Sequence, residues 1–165
     1  MTAQYREELT LDGEEYRMIT EPLESYLNDH FNYKHDGIYP YILEYCTALW
    51  RGYIGVWLIE DNQLFLKNME ADPGFEKNKI LIQYRENDLR FVVDWRKTFF
   101  NSQQGNIKAD WFSGVLKLEI GKSIQYHATQ NDIFEKYMYI EIEKGHVKKK
   151  WTEDGQPINY DNLFN

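Results

Sequence analysis

From Glu8 to Thr20 the chain alternates: Leu9 and Leu11 before Asp12-Gly13, then Tyr16, Met18 and Thr20 after it. Period-two patterning on both sides of an Asp-Gly pair predicts a hairpin closed by a type I′ turn. Glu21-Pro22 then opens a helix, because proline suits the first helical position and disfavours helical geometry in the residue before it. Leu23, Tyr26, Leu27 and Phe31 fall on one helical face, and the helix is predicted to fray near Asn32. Farther on, Tyr53, Gly55, Trp57 and Ile59 interleave with Ile54, Val56 and Leu58, so both faces of this strand are apolar. Such a strand belongs in the interior of a sheet. Arg51 and Gly52 fall inside the same pattern, Asp61-Asn62 makes the turn, and Leu64 and Leu66 return on one face.

The middle of the chain is less sharply patterned. Tyr41 to Tyr45 fits a short helix or a strand, and Ile80 to Tyr84 fits a short strand. Asn87-Asp88 opens either a helix through Phe100, with Leu89, Val92, Val93 and Phe100 on one stripe, or a strand over Leu89 to Val93. Asp110 to Ile120 reads as a strand with one solvated face, ended by Gly121. Tyr137 to Glu143 follows, turned by Lys144-Gly145 into Val147 to Trp151. Asp72-Pro73-Gly74 marks the start of an insertion over 73–108, and the polar tail 154–165 is expected to be loosely attached. Strands on short turns with two or three helices predict one α+β domain over 1–165, built on a mainly antiparallel sheet.

A length of 165 residues fits one domain with a full core. Aromatic residues make up 16% of the chain, which excludes general disorder and points to a β core or a binding face. The net charge of −8 argues against nucleic acid and against an anionic membrane surface as partners. It favours a partner protein, and a basic one, since opposite charge accelerates encounter. The single cysteine, Cys46, makes no intramolecular disulfide and reads as core filler. No apolar run approaches 18 residues, and Met1 to Leu11 carries no signal-peptide core, so a cytoplasmic setting is expected.

Phosphate-cradling loops, nucleophile elbows and the His-Glu-x-x-His zinc motif are missing from the sequence. One cysteine and four dispersed histidines give no metal-ligand spacing, and neither a metal nor a cofactor is expected. Ser113-Gly114 precedes a strand, whereas a nucleophile elbow feeds a helix; it reads as a turn. Arg51 is the sharper candidate: a guanidinium in an apolar strand must find a partner, since an unpaired buried charge is very costly. Its expected partner is Asp110, Glu44 or Asp94. Arg51, Asp110 and Trp111 are therefore the candidate binding residues, either as a structural ion pair or as a cleft with aromatic walls. Lys148, Lys149 and Lys150 are expected to guard an edge strand, and Glu7-Glu8, Glu14-Glu15 and Glu153-Asp154 to be solvated pairs.

Trp50-Arg51-Gly52-Tyr53-Ile54, the run from Trp57 to Leu66, and Ala109-Asp110-Trp111-Phe112-Ser113-Gly114 together resemble a group of small bacterial proteins without an assigned activity. In these an Arg-Gly-Tyr strand and a later Ala-Asp-Trp strand recur. The resemblance implies a bacterial cytoplasmic setting and a toxin-neutralising or other accessory role. The functional expectation is a non-enzymatic, acidic protein-binding module. Its alternative is a small-molecule binder or enzyme with a cleft near Arg51 and Asp110.

Overall fold

The computed structural model describes residues 4–31, 40–42, 48–71, 79–84, 89–102, 104–126 and 132–159. Strands β1 (Glu7–Leu11) and β2 (Glu14–Met18) form the first hairpin, turning on Asp12 and Gly13 at φ of 52° and 80°. Helix α1 (Leu23–Phe31) follows, then the short β3 (Pro40–Ile42). A second hairpin joins β4 (Ile54–Glu60) to β5 (Gln63–Glu70) through Asp61 and Asn62, again both at positive φ. Next come β6 (Lys79–Tyr84), β7 (Arg90–Asp94), α2 (Trp95–Phe100) and β8 (Ile107–Lys108). A meander of β9 (Gly114–Gln125), β10 (Ile133–Glu143) and β11 (His146–Asp154) ends the series.

The strands close on themselves. The order β11-β10-β9-β2-β1-β4-β5 returns to β11 where His146 pairs with Gln63, giving a seven-stranded barrel with β8 attached beside β5. Neighbours in the ring are antiparallel except β1 and β4, which run parallel. A separate antiparallel sheet holds β3-β6-β7. The α+β expectation is therefore corrected: the described residues are mostly strand, closed as a barrel, with two short helices. Local patterning tells which way a side chain faces, but not that distant strands meet to close a ring.

Bulges supply the curvature that closure needs. β5 places one extra residue opposite the Val56–Trp57 step, and β9 does so opposite Phe134–Lys136. The second lies at Gly121, at φ 80°, so this glycine bends a strand that continues to Gln125 instead of ending it. The inward positions of the ring, Leu9, Met18, Trp57, Leu64, Leu66, Leu116, Leu118, Ile140 and Ile142, are buried and fill the barrel as a core.

Helix α1 adds Leu23 and Leu27 to this core. Tyr26 stacks on Phe100 with ring centres 4.5 Å apart and donates its hydroxyl to the Phe99 carbonyl at 2.6 Å. Trp111 continues the aromatic chain from Phe100 to Trp57. The segment read as helix or strand contains both, β7 and then α2, whose N-cap is Asp94. Within the expected tail, the described residues make these contacts: Asp154 ends β11, Gly155 donates its backbone N–H to Glu135, and Ile158 exchanges two hydrogen bonds with Gln125. The start of the expected 73–108 insertion lies outside the described residues, as do Cys46, Glu44 and residues 160–165.

Candidate functional site

β1 alternates inward at Glu7, Leu9 and Leu11, so the barrel wall points a carboxylate into the core. Glu7 is fully buried, which corrects its reading as a solvated acid. Its Oε2 accepts from an Arg51 Nη2 at 2.9 Å and from the Gly55 backbone N–H, while its Oε1 accepts from the Trp57 indole at 3.4 Å. Gly55 makes the room: a Cβ there would stand 2.5 Å from both the Glu7 carboxylate and the Trp57 indole nitrogen. Burial raises the Glu7 carboxyl to about 7, outweighing the opposing pull of Arg51 and the Gly55 hydrogen bond.

Arg51 sits in the turn before β4, not inside the strand, and Gly52 beside it has φ 77°. The guanidinium pairs with Glu7 and lies 3.4 Å from a Glu21 oxygen. These are not the partners the sequence proposed. Its Nε and Nη1 are buried without a hydrogen bond, and the Tyr53 ring lies 5.5 Å from its carbon. Glu21, partly exposed, forms the outer side of this centre; its carboxyl is also raised, mainly by burial, with Arg51 pulling the other way.

Asp110 is exposed and, among the described contacts, does not join Arg51; its charge adds to the burial that raises the Tyr26 hydroxyl. Asp94 caps α2. Trp111 touches neighbours of the Arg51 centre. Its indole donates to the Pro22 carbonyl at 2.9 Å, next to Glu21, and its ring lies 6.3 Å from Trp57. Glu7 and Glu21 are thus the residues that sequence reasoning missed. Glu7 was discoverable, because it shares the parity of Leu9 and Leu11; Glu21 was not, because nothing local couples it to Arg51.

The outer wall of β1, β2, β4 and β5 has a different character. Ile54, Val56, Leu58 and Phe65 are half-buried on its outward side, and Glu8, Glu15 and Glu70 are exposed around them. Pairing sets Glu8 beside Val56 and Arg17, and Glu70 beside Ile54. Partial burial raises the Glu8 carboxyl, and the charges of Glu70 and Glu15 raise it further. None of these three acids holds an ion pair among the described residues. The opposite side of the ring carries Tyr137, Tyr139, Trp151, Lys117 and Lys149: Tyr139 stacks on Trp151 at 5.4 Å, and Lys149 lies over the Trp151 ring.

The lysine run lies on an edge stretch of β11. β11 is bonded to β5 only at its start, and at Lys148–Lys150 it pairs with β10 alone among the described strands, while Lys148 and Lys150 reach Glu143 and Asp12. Ser113 accepts from the Lys144 backbone N–H at 2.9 Å, a turn contact. Among the described residues no three His, Cys, Asp or Glu side chains gather as metal ligands, and no helix is long and apolar enough to cross a membrane. No protein-family model, curated protein or solved structure matches the chain.

Proposed function

We propose that the protein is a non-enzymatic binding module that docks a basic partner protein on the outer wall of β1, β2, β4 and β5. Neutralisation of a toxin is its concrete form. The observation that carries this reading is the placement of exposed Glu8, Glu15 and Glu70 around the half-buried Val56, Leu58 and Phe65 on one outer wall. Like charges held together weaken a fold, and a cationic partner relieves them. An apolar centre of Val56, Leu58 and Phe65 with an acidic rim also has the anatomy of an interface.

The test compares the wild type with a Glu8→Gln, Glu15→Gln, Glu70→Gln variant, each purified gently from the native host and weighed by native mass spectrometry. The wild type should carry a stoichiometric basic protein that salt dissociates, and the folded variant should lose it. A bare wild type, or a complex indifferent to the three substitutions and to salt, overturns the reading.

A second reading has its own observation, the two Arg51 nitrogens without a hydrogen bond. A small ligand with an acceptor oxygen could take them once Glu21 swings aside. Retention of a mass of a few hundred daltons by the wild type but not by Arg51→Lys would favour it.

A further inference from the structure

The two hairpin turns of the acidic wall meet at one end of the barrel, and a cavity of about 430 Å³ lies between them. Its lining includes the aliphatic residues Leu11, Leu58, Ile59 and Val147. The same lining is charged, with Asp12 from the first turn, Glu60 from the end of β4, Asp61 from the second turn and Lys150 from β11. Asp12 and Asp61 both hold positive φ inside tight turns, so backbone geometry fixes where their side chains start. Lys150 approaches Asp12 only to 4.0 Å, and both side chains are well exposed. Such a pair contributes little and is easily displaced.

From this geometry we infer that the mouth is a socket for one lysine or arginine side chain of the partner. A basic side chain has an aliphatic stem and a cationic head, and it lays the stem on apolar surface while the head stays polar. The aliphatic part of the lining suits the stem and its three carboxylates suit the head. An inorganic cation has no use for aliphatic lining, and an anion meets three like charges against one ammonium. Lys150 occupies the socket's charge in the free protein, as a tethered version of the ligand. The inference rests on the docking reading above, which supplies the source of that side chain.

The probe is N-acetyl-lysine methylamide, titrated into the labelled full chain and followed by amide chemical shifts. Its uncharged counterpart, N-acetyl-norleucine methylamide, is the control. Saturable shifts should appear at Asp12, Gly13, Asp61, Asn62 and Val147. Asp12→Asn with Asp61→Asn keeps residues that tolerate positive φ and should weaken the probe about fivefold. Lys150→Met removes the internal competitor and should tighten it about threefold. A merely structural role for Lys150 predicts no such gain. The socket is overturned if norleucine binds as well as lysine, if shifts spread evenly over the surface carboxylates, or if Lys150→Met leaves the affinity unchanged. The two proposals fail separately. A probe that binds the mouth, beside a native complex indifferent to Glu8, Glu15 and Glu70, leaves the socket standing without the docking wall. The reverse result removes the socket alone.

Discussion

At the residue scale the Glu7–Arg51 pair has measurable consequences. Unfolded, Glu7 ionises near 4.5; folded, it keeps its proton up to about 7. Between these values the folded state binds more protons than the unfolded state. The contribution of Glu7 to stability therefore falls as pH rises through this window and is level above it. The span corresponds to roughly 3 kcal/mol. In Glu7→Gln this slope should vanish, leaving only the background of other carboxylates, as read from urea midpoints at pH 5 and pH 8. Identical slopes in the two proteins would show that Glu7 titrates normally when folded. Arg51→Ala removes the counter-charge and should cost about 3–5 kcal/mol at pH 8. It should cost less at pH 5, where Glu7 is neutral in the folded protein; a cost independent of pH would mean that packing, not charge, is what Arg51 supplies. Gly55→Ala should cost about 2–3 kcal/mol at any pH, because the new methyl meets both the carboxylate and the Trp57 indole.

At the element scale, small local devices set the boundaries. Asp94 Oδ1 accepts from the backbone N–H groups of Arg96 and Lys97, and α2 has only six residues. Asp94→Ala should cost about 1 kcal/mol and melt this helix first, seen as lost protection at Phe99 and Phe100. Gly121→Ala forces a side chain into a left-handed conformation beside Glu135 and should cost about 1–2 kcal/mol in thermal unfolding. No loss there would mean that the bulge can be rebuilt with ordinary geometry. The hairpins were legible because Asp12-Gly13, Asp61-Asn62 and Lys144-Gly145 are turn pairs between alternating runs, and all three turn at positive φ. The 87–100 stretch was not, because Leu89, Val92 and Val93 satisfy a helical stripe and a strand equally. Only the cap at Asp94, seven residues beyond Asn87, divides it into β7 and α2.

At the scale of the molecule, the pairs β2–β9 and β1–β4 join residues far apart in sequence, and no periodicity announces them. The candidate site inherits that blindness. Arg51 could be singled out as a charge in apolar company, but its partner Glu7 lies 44 residues away on a strand whose neighbour was unknown. One core runs from the barrel to the second sheet, where Ile42, Ile80, Ile82 and Trp95 join it, but the strands share it unequally. β7 is the outer strand of the three-stranded sheet and exposes Phe91 and Val92. Native-state hydrogen exchange should therefore release β7 amides at a lower free energy than those of β1, β4 and β9. Uniform protection across both sheets would show that they open as one unit.

The closing contact of the ring has a further consequence, for biosynthesis. Among the described residues β5 meets β11 at the pair Gln63–His146, flanked by two backbone hydrogen bonds, so the ring has a short seam, and the strand on its far side is the last of the seven to be made. Until residue 146 and those after it have left the ribosome, Leu64 and Leu66 on β5 face a core with one wall missing. A nascent chain stalled before that point exposes apolar surface and a β edge together, the pairing that draws chaperones and promotes aggregation. The barrel thus commits to its final form only once β11 has been made, and the interval before the seam closes is when the barrel is most vulnerable.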